Sequence, residues 1–118
     1  PNAAITFDKF HAVKIINDAV DQVRRAEQKH QSLLRGTRYI WLRNPGNLSE
    51  RQRATLESLP TRHLKTARAH QIRLAFQELY DQPSTEAAAD FLKKWYFWTT
   101  HSRLEPIINA AHTVKRHW

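Results

Sequence analysis

Through most of the chain apolar residues recur at steps of three and four, the spacing of one face of an α-helix. In the first long stretch Phe10, Val13, Ile16, Val20 and Val23 form such a stripe, with Lys9, Lys14, Asp18, Asp21 and Arg25 opposite. The pattern predicts a helix that opens near Phe7 or Asp8 and runs to about Gln31, its polar face solvated. Asp21 and Arg25 are spaced as a favourable i,i+4 pair on that face. Residues 33–43 read two ways: Tyr39, Ile40, Trp41 and Leu42 are β-prone, yet Leu34, Arg38, Trp41 and Leu42 also fit a helical face. Helix or a short irregular link is favoured, because no partner strand is available.

The breakers divide the rest. Asn44-Pro45-Gly46-Asn47 is a turn, where proline sets one φ and Gly46 permits a positive one. Ser49-Glu50-Arg51-Gln52 matches a capping box that starts a short helix ending before Pro60. Thr61 is expected to cap the next helix, which runs to about Tyr80 with Leu64, Ile72, Ala75, Phe76 and Leu79 inward. Ser84 caps a further helix that carries Glu86 at the positive end of its dipole. Phe91, Leu92, Trp95, Tyr96, Phe97 and Trp98 make that helix apolar nearly all round, so it should be the most buried. Pro106, whose ring forbids the bond back to residue 102, kinks that helix or restarts it, and the last segment places Ile107, Ala110, Ala111 and Val114 inward. The expectation is an all-α bundle of about five helices, residues 8–118, behind a strand remnant over residues 1–7.

At 118 residues with twelve aromatics the chain suits one domain with a modest core. It has no cysteine, so disulfides and thiolate metal sites are excluded. No apolar run approaches the roughly 18 residues of a membrane span. Nineteen Lys and Arg against eleven Asp and Glu leave a formal charge of +8, which favours a polyanion, nucleic acid or an anionic surface. Arg62, Lys65, Arg68 and Arg73 fall on one segment with no acid before Glu78, the cleanest local positive patch. Lys94, Arg103, Lys115 and Arg116 are secondary candidates for phosphate contacts.

The chain's chemistry concentrates at Asp8. The short β-prone run from Ala3 to Phe7 ends there and is followed at once by a helix, and a carboxylate at a strand exit is suited to holding a hard divalent cation. His63 and His70, and His101 with Glu105, have spacings metals use, but most such pairs are helix-surface residues. Trp95-Tyr96-Phe97-Trp98 beside Lys93 and Lys94 is read as core packing ahead of base stacking. Two isolated glycines make no phosphate loop, and no serine–histidine pairing is indicated.

ITFDKFHAVKIINDAVDQVRR resembles the block around the second catalytic acid of DDE transposases from bacterial insertion sequences, in the insertion-sequence L-three family. LLRGTRYIWLRNPGNLSERQR, LKTARAHQIRLAFQELYDQ and FLKKWYFWTTHSRLEPIINAAHTVKRHW resemble the helical stretch downstream of it, so the likeness covers essentially the whole chain. The resemblance implies an RNase H-like core in which two aspartates and a glutamate hold two divalent cations, Mg²⁺ or Mn²⁺, for DNA strand cleavage and transfer. Asp8 would be the second aspartate, both catalytic acid and metal ligand, with Lys9, Phe10 and His11 completing its motif. DNA, as transposon ends and target, would be the partner, and the parent protein cytoplasmic and nucleoid-associated. The chain departs from the pattern in lacking the first aspartate's strand, and Glu78, Glu86 and Glu105 do not stand in a context like the family's glutamate.

With no methionine and a proline at position 1, the chain reads as a central fragment, inert alone, whose helical part binds the DNA backbone or supports the active site. The rival reading is an architectural helical module that forms homo-oligomers without DNA affinity. A free-standing regulator would need a helix-turn-helix, for which only the helices around Thr61 offer material.

Overall fold

On a wheel turning 100° per residue, Ala12, Ile16, Ala19, Val20 and Val23 share one arc, and all five are buried. They form the inner face of α1 (Lys9–Gln28), the longest element of a computed structural model that describes residues 9–117. The strand expected over residues 3–7 and Asp8 lie outside the described residues. Phe10, placed in this stripe from its spacing, is 81% exposed. It falls about 120° round the wheel from Ile16, outside the arc that other helices cover.

Five further α-helices follow: α2 (Arg38–Leu42), α3 (Glu50–Ser58), α4 (Lys65–Gln77), α5 (Thr85–Thr100) and α6 (Glu105–His117). Single 3₁₀ turns link several of them, and no strand occurs among the described residues. The all-α expectation holds, with six α-helices among these residues rather than five. The α2 segment resolves the ambiguity over residues 33–43 in favour of helix. Its Trp41 and Ile40 are buried, and the Trp41 indole N–H donates to Thr37 Oγ1 at 3.0 Å.

α1, α4, α5 and α6 form an up-down-up-down bundle. Glu27 of α1 meets the start of α4, and Asn17 meets Arg73 further along it, so α1 and α4 are antiparallel. Arg68 reaches Ser102, and the Trp95 indole donates to the Ile72 carbonyl at 3.0 Å, so α4 and α5 are antiparallel too. α6 folds back beside α5, setting Tyr96 against His112, and its Ile107, Ala110, Ala111 and Val114 face inward as expected. α1 packs on both α4 and α6, closing the ring, while α2 covers the outer side of the α1–α4 pair.

The local stop and start signals act largely as their chemistry requires. Ser49 Oγ accepts from the Gln52 amide at 3.1 Å, and the Gln52 side chain accepts from the Ser49 amide at 2.9 Å, completing the capping box. Ser84 Oγ accepts from the Ala87 amide at 3.0 Å. α5 ends at Thr100 and Pro106 sits in the first turn of α6, the place where its missing N–H costs nothing. Positive φ falls at Gly36 (73°) rather than at Gly46, whose turn is a 3₁₀ turn over Pro45–Asn47.

Three expectations fail for tertiary reasons. Thr61 does not cap α4; it opens a 3₁₀ turn, and α4 begins at Lys65 with no side-chain cap from its own neighbourhood. The cap comes instead from α1: the Glu27 carboxylate accepts from the amides of Lys65 and Thr66, both at 2.8 Å, and from the Thr66 hydroxyl at 2.7 Å. Asp21 is not solvated but 8% exposed, because α2 folds over it. There it binds Arg24 at 2.9 Å, its expected partner Arg25 at 3.2 Å, and Arg38 of α2 at 3.6 Å. Finally, α5 is not buried all round. Leu92 and Trp95 point inward, while Phe97 is 64% and Trp98 43% exposed. Consecutive aromatics sweep the full circumference of a helix, and α5 has neighbours on only part of it.

Candidate nucleic-acid interface

The bundle's topology decides which cations meet. The start of α4 and the α5–α6 loop lie at the same end, so Arg62, Lys65, Arg68 and Arg103 converge there from two separate stretches of chain. Arg62, Lys65 and Arg68 line one shallow groove with His63 and Gln71. Lys65 and Arg103 line the adjoining cleft, about 500 Å³, together with His30 of α1. One Arg68 nitrogen donates to the Ser102 carbonyl at 3.1 Å, which ties groove and loop together. Arg103 itself holds φ at 64°, a left-handed conformation uncommon outside glycine, and that turn carries the chain from α5 into α6. Glu27 and Glu105 also line the cleft, but Glu27 is occupied in capping α4. No ion pair engages Arg62, Lys65, Arg68 or Arg103 among the described residues.

Arg73 is not part of this surface. It is 4% exposed, and its guanidinium donates to Asn17 Oδ1 at 2.6 Å, the Leu42 carbonyl at 2.7 Å, Asn44 Oδ1 at 3.3 Å and the Arg43 carbonyl at 3.4 Å. Those acceptors belong to α1 and to the end of α2, so Arg73 is a fastener between three elements. Burial, which disfavours the charged form, pushes its pKa down from the usual guanidinium value. The remaining candidates are scattered. Lys94 stands on the outer face of α5, and Lys115 and Arg116 are exposed in the last turn of α6, where cations suit the dipole. Lys115 Nζ also lies 4.4 Å from the centre of the Tyr96 ring.

The histidine spacings do not become metal sites. His63 is exposed in its 3₁₀ turn, whereas His70 is buried, its Nδ1 2.9 Å from the Trp41 carbonyl and its ring edge-on to the Trp41 indole. A carbonyl only accepts, so Nδ1 carries the proton. Burial lowers the His70 pKa, the bond to Trp41 opposes that, and the nearby Arg73 charge adds to the lowering. His101 Nδ1 lies 2.7 Å from the Phe97 carbonyl and its ring stacks on Phe97 at 4.1 Å between centroids. No group of three metal-ligating side chains occurs among the described residues, so these residues alone do not fit the divalent ions the resemblance implies. No helix among them is long and apolar enough to cross a membrane.

Fold and surface together define a basic helical module with no group of three metal-ligating side chains among its described residues. The sequence model of the ISL3 family, described as transposase, matches residues 1–118, and the chain belongs to that family. No curated protein and no solved structure matches it.

Sequence reasoning passed over two features. Glu27 carries no signal in its own stretch of sequence, and nothing local marks it as the cap of a helix 38 positions away. The exposure of Phe97 and Trp98 was hidden because helical periodicity does not say how many neighbours a helix has.

Proposed function

We propose that this chain is the part of a transposase catalytic region that begins at its second metal-binding aspartate and continues as a DNA-backbone-binding helical bundle. Residues 3–7 would be the strand of an RNase H-like core and Asp8 one of its carboxylates. Mg²⁺ or Mn²⁺ bound there would supply the activation of a hydroxyl nucleophile for strand cleavage and transfer. A single carboxylate does not hold two such ions, so on this reading the segment is inert by itself.

The observation that supports a DNA role for the bundle is the meeting of Arg62, Lys65, Arg68 and Arg103 at one end, unpaired with carboxylates among the described residues. Clustered cations of this kind contact phosphates, fix register and carry affinity without reading sequence. Duplex binding by the chain should therefore fall with salt. Four phosphate contacts correspond to a slope of log affinity on log salt near −3.6, at about 0.9 per contact. Arg62→Ala and Arg68→Ala should each reduce that slope by about 1. A flat salt response, or slopes unchanged in both variants, removes this role.

The architectural reading draws on the exposed apolar side chains Leu33, Tyr39, Phe97 and Trp98. It requires a concentration-dependent dimer with no DNA affinity, which sedimentation together with the salt titration distinguishes from the first reading.

A further inference from the structure

The outer face of α5 carries two large aromatic side chains in water, on a helix whose inner face is filled by Ala88, Leu92, Trp95 and Thr99. Phe97 lies about 170° round the helix from the buried arc of Ala88, Leu92, Trp95 and Thr99, so no repacking of the bundle would bury it. Phe97 is held in place: His101, one turn on, stacks on its ring at 4.1 Å and an interplanar angle of 32°, with Nδ1 bonded to the Phe97 carbonyl. Lys93 precedes Phe97 by one turn and Lys94 precedes Trp98 by one turn, and both lysines are exposed. Beyond His101 the same surface runs into the α5–α6 loop, where Arg68 meets Ser102 and Arg103 turns toward the basic cleft. Glu86 and Asp90 lie in the first turns of α5, so the cationic part of the face starts at Lys93.

We propose that this face is a stacking platform for unpaired DNA bases, with Phe97 and Trp98 taking the bases and Lys93, Lys94 and Arg103 the flanking phosphates. The row from Lys93 to His101 is about 12 Å long at 1.5 Å per residue, room for about two nucleotides. Aromatic rings beside a cationic track are how single strands are bound without sequence preference, since every base has a π-face. A second copy of the chain is the less suitable occupant, because an isologous contact through this face would bring the exposed Lys93 and Lys94 of both copies into one interface. The inference rests on the DNA reading above and shares Arg103 with it, but its stacking side chains, Phe97 and Trp98, are its own.

The test compares a labelled 12-nucleotide single strand with the corresponding blunt duplex, by fluorescence anisotropy, on the full chain. Phe97→Ala and Trp98→Ala should each weaken single-strand binding by about 5- to 100-fold and leave duplex binding within twofold. Both residues are exposed, so circular dichroism and melting temperature should stay at the parent values and confirm an intact fold. Phe97→Leu and Trp98→Leu keep apolar area but lose the ring, and they should be as defective as the alanine variants. Single-strand binding unchanged in the alanine variants overturns the proposal. So does restoration by leucine, which marks an apolar contact that needs no ring, or a dimer in sedimentation that Trp98→Ala dissolves, which marks a contact between proteins. Loss of duplex binding in Arg62→Ala and Arg68→Ala reports only on the basic end, so the two readings can fail separately.

Discussion

Removing the Glu27 carboxylate should destabilise the bundle far more than a polar-face glutamate normally would. In Glu27→Ala three donors lose their acceptor at once: the Lys65 and Thr66 amides and the Thr66 hydroxyl. Lys65 is exposed, so water replaces most of that bond at little cost. Thr66 is fully buried, and leaving its amide and hydroxyl unpaired costs about 1–3 kcal/mol. Loss of a negative charge at the helix start adds about 0.3–1 kcal/mol. The expected total is about 2–3 kcal/mol, against about 0.5 kcal/mol for a typical surface substitution. Glu27→Gln keeps one oxygen for Thr66 but turns an amide N–H₂ toward the Lys65 N–H, so its cost should be about 1 kcal/mol. Urea unfolding reads the difference directly. With m near 1–2 kcal/mol/M for a small domain, Glu27→Ala should lower the midpoint by about 1–2 M with m unchanged. Paired with Thr66→Val, the two losses should be non-additive by about 1 kcal/mol. If Glu27→Ala lies within about 0.5 kcal/mol of the parent, or the double cycle shows no coupling, α4 does not depend on α1 for its cap.

Other outcomes follow from the buried polar groups. Arg73→Ala should cost about 2–4 kcal/mol, because two backbone carbonyls and two side-chain amides lose their donor inside the α1–α2–α4 junction. Arg73→Lys should recover only part of that, since a single ammonium does not span the fork, and wherever it folds its affinity for duplex DNA should equal the parent's. For His70 the folded pKa lies below the unfolded value of 6.5, so unfolding takes up a proton in the interval between them. Its contribution is therefore complete above pH 6.5 and is lost as pH falls below that value. The melting temperature should drop on acidification from pH 7.5 to 5, and His70→Gln should flatten that drop; a drop of equal depth in the variant would refute the assignment.

Period and punctuation in the chain specify most of the helices, because hydrogen bonds within a helix and its caps are local. The Ser49 box, the Ser84 cap, the Pro106 restart and the inward face of α6 all depend on residues within a turn of one another, and each stands where its chemistry places it. The family, too, is carried by residue order, since its sequence model matches residues 1–118. Burial of charge is different in kind. Arg73 and Arg68 are five residues apart on one helix, yet one is a fastener in the core and the other sits on the basic surface. The difference lies in carbonyls that α2 delivers from 30 residues away. Glu27, Asp21 and the bare side of α5 follow the same rule. A side chain's solvent is set by which elements fold against it, and that is a property of the packed bundle, not of any stretch of sequence.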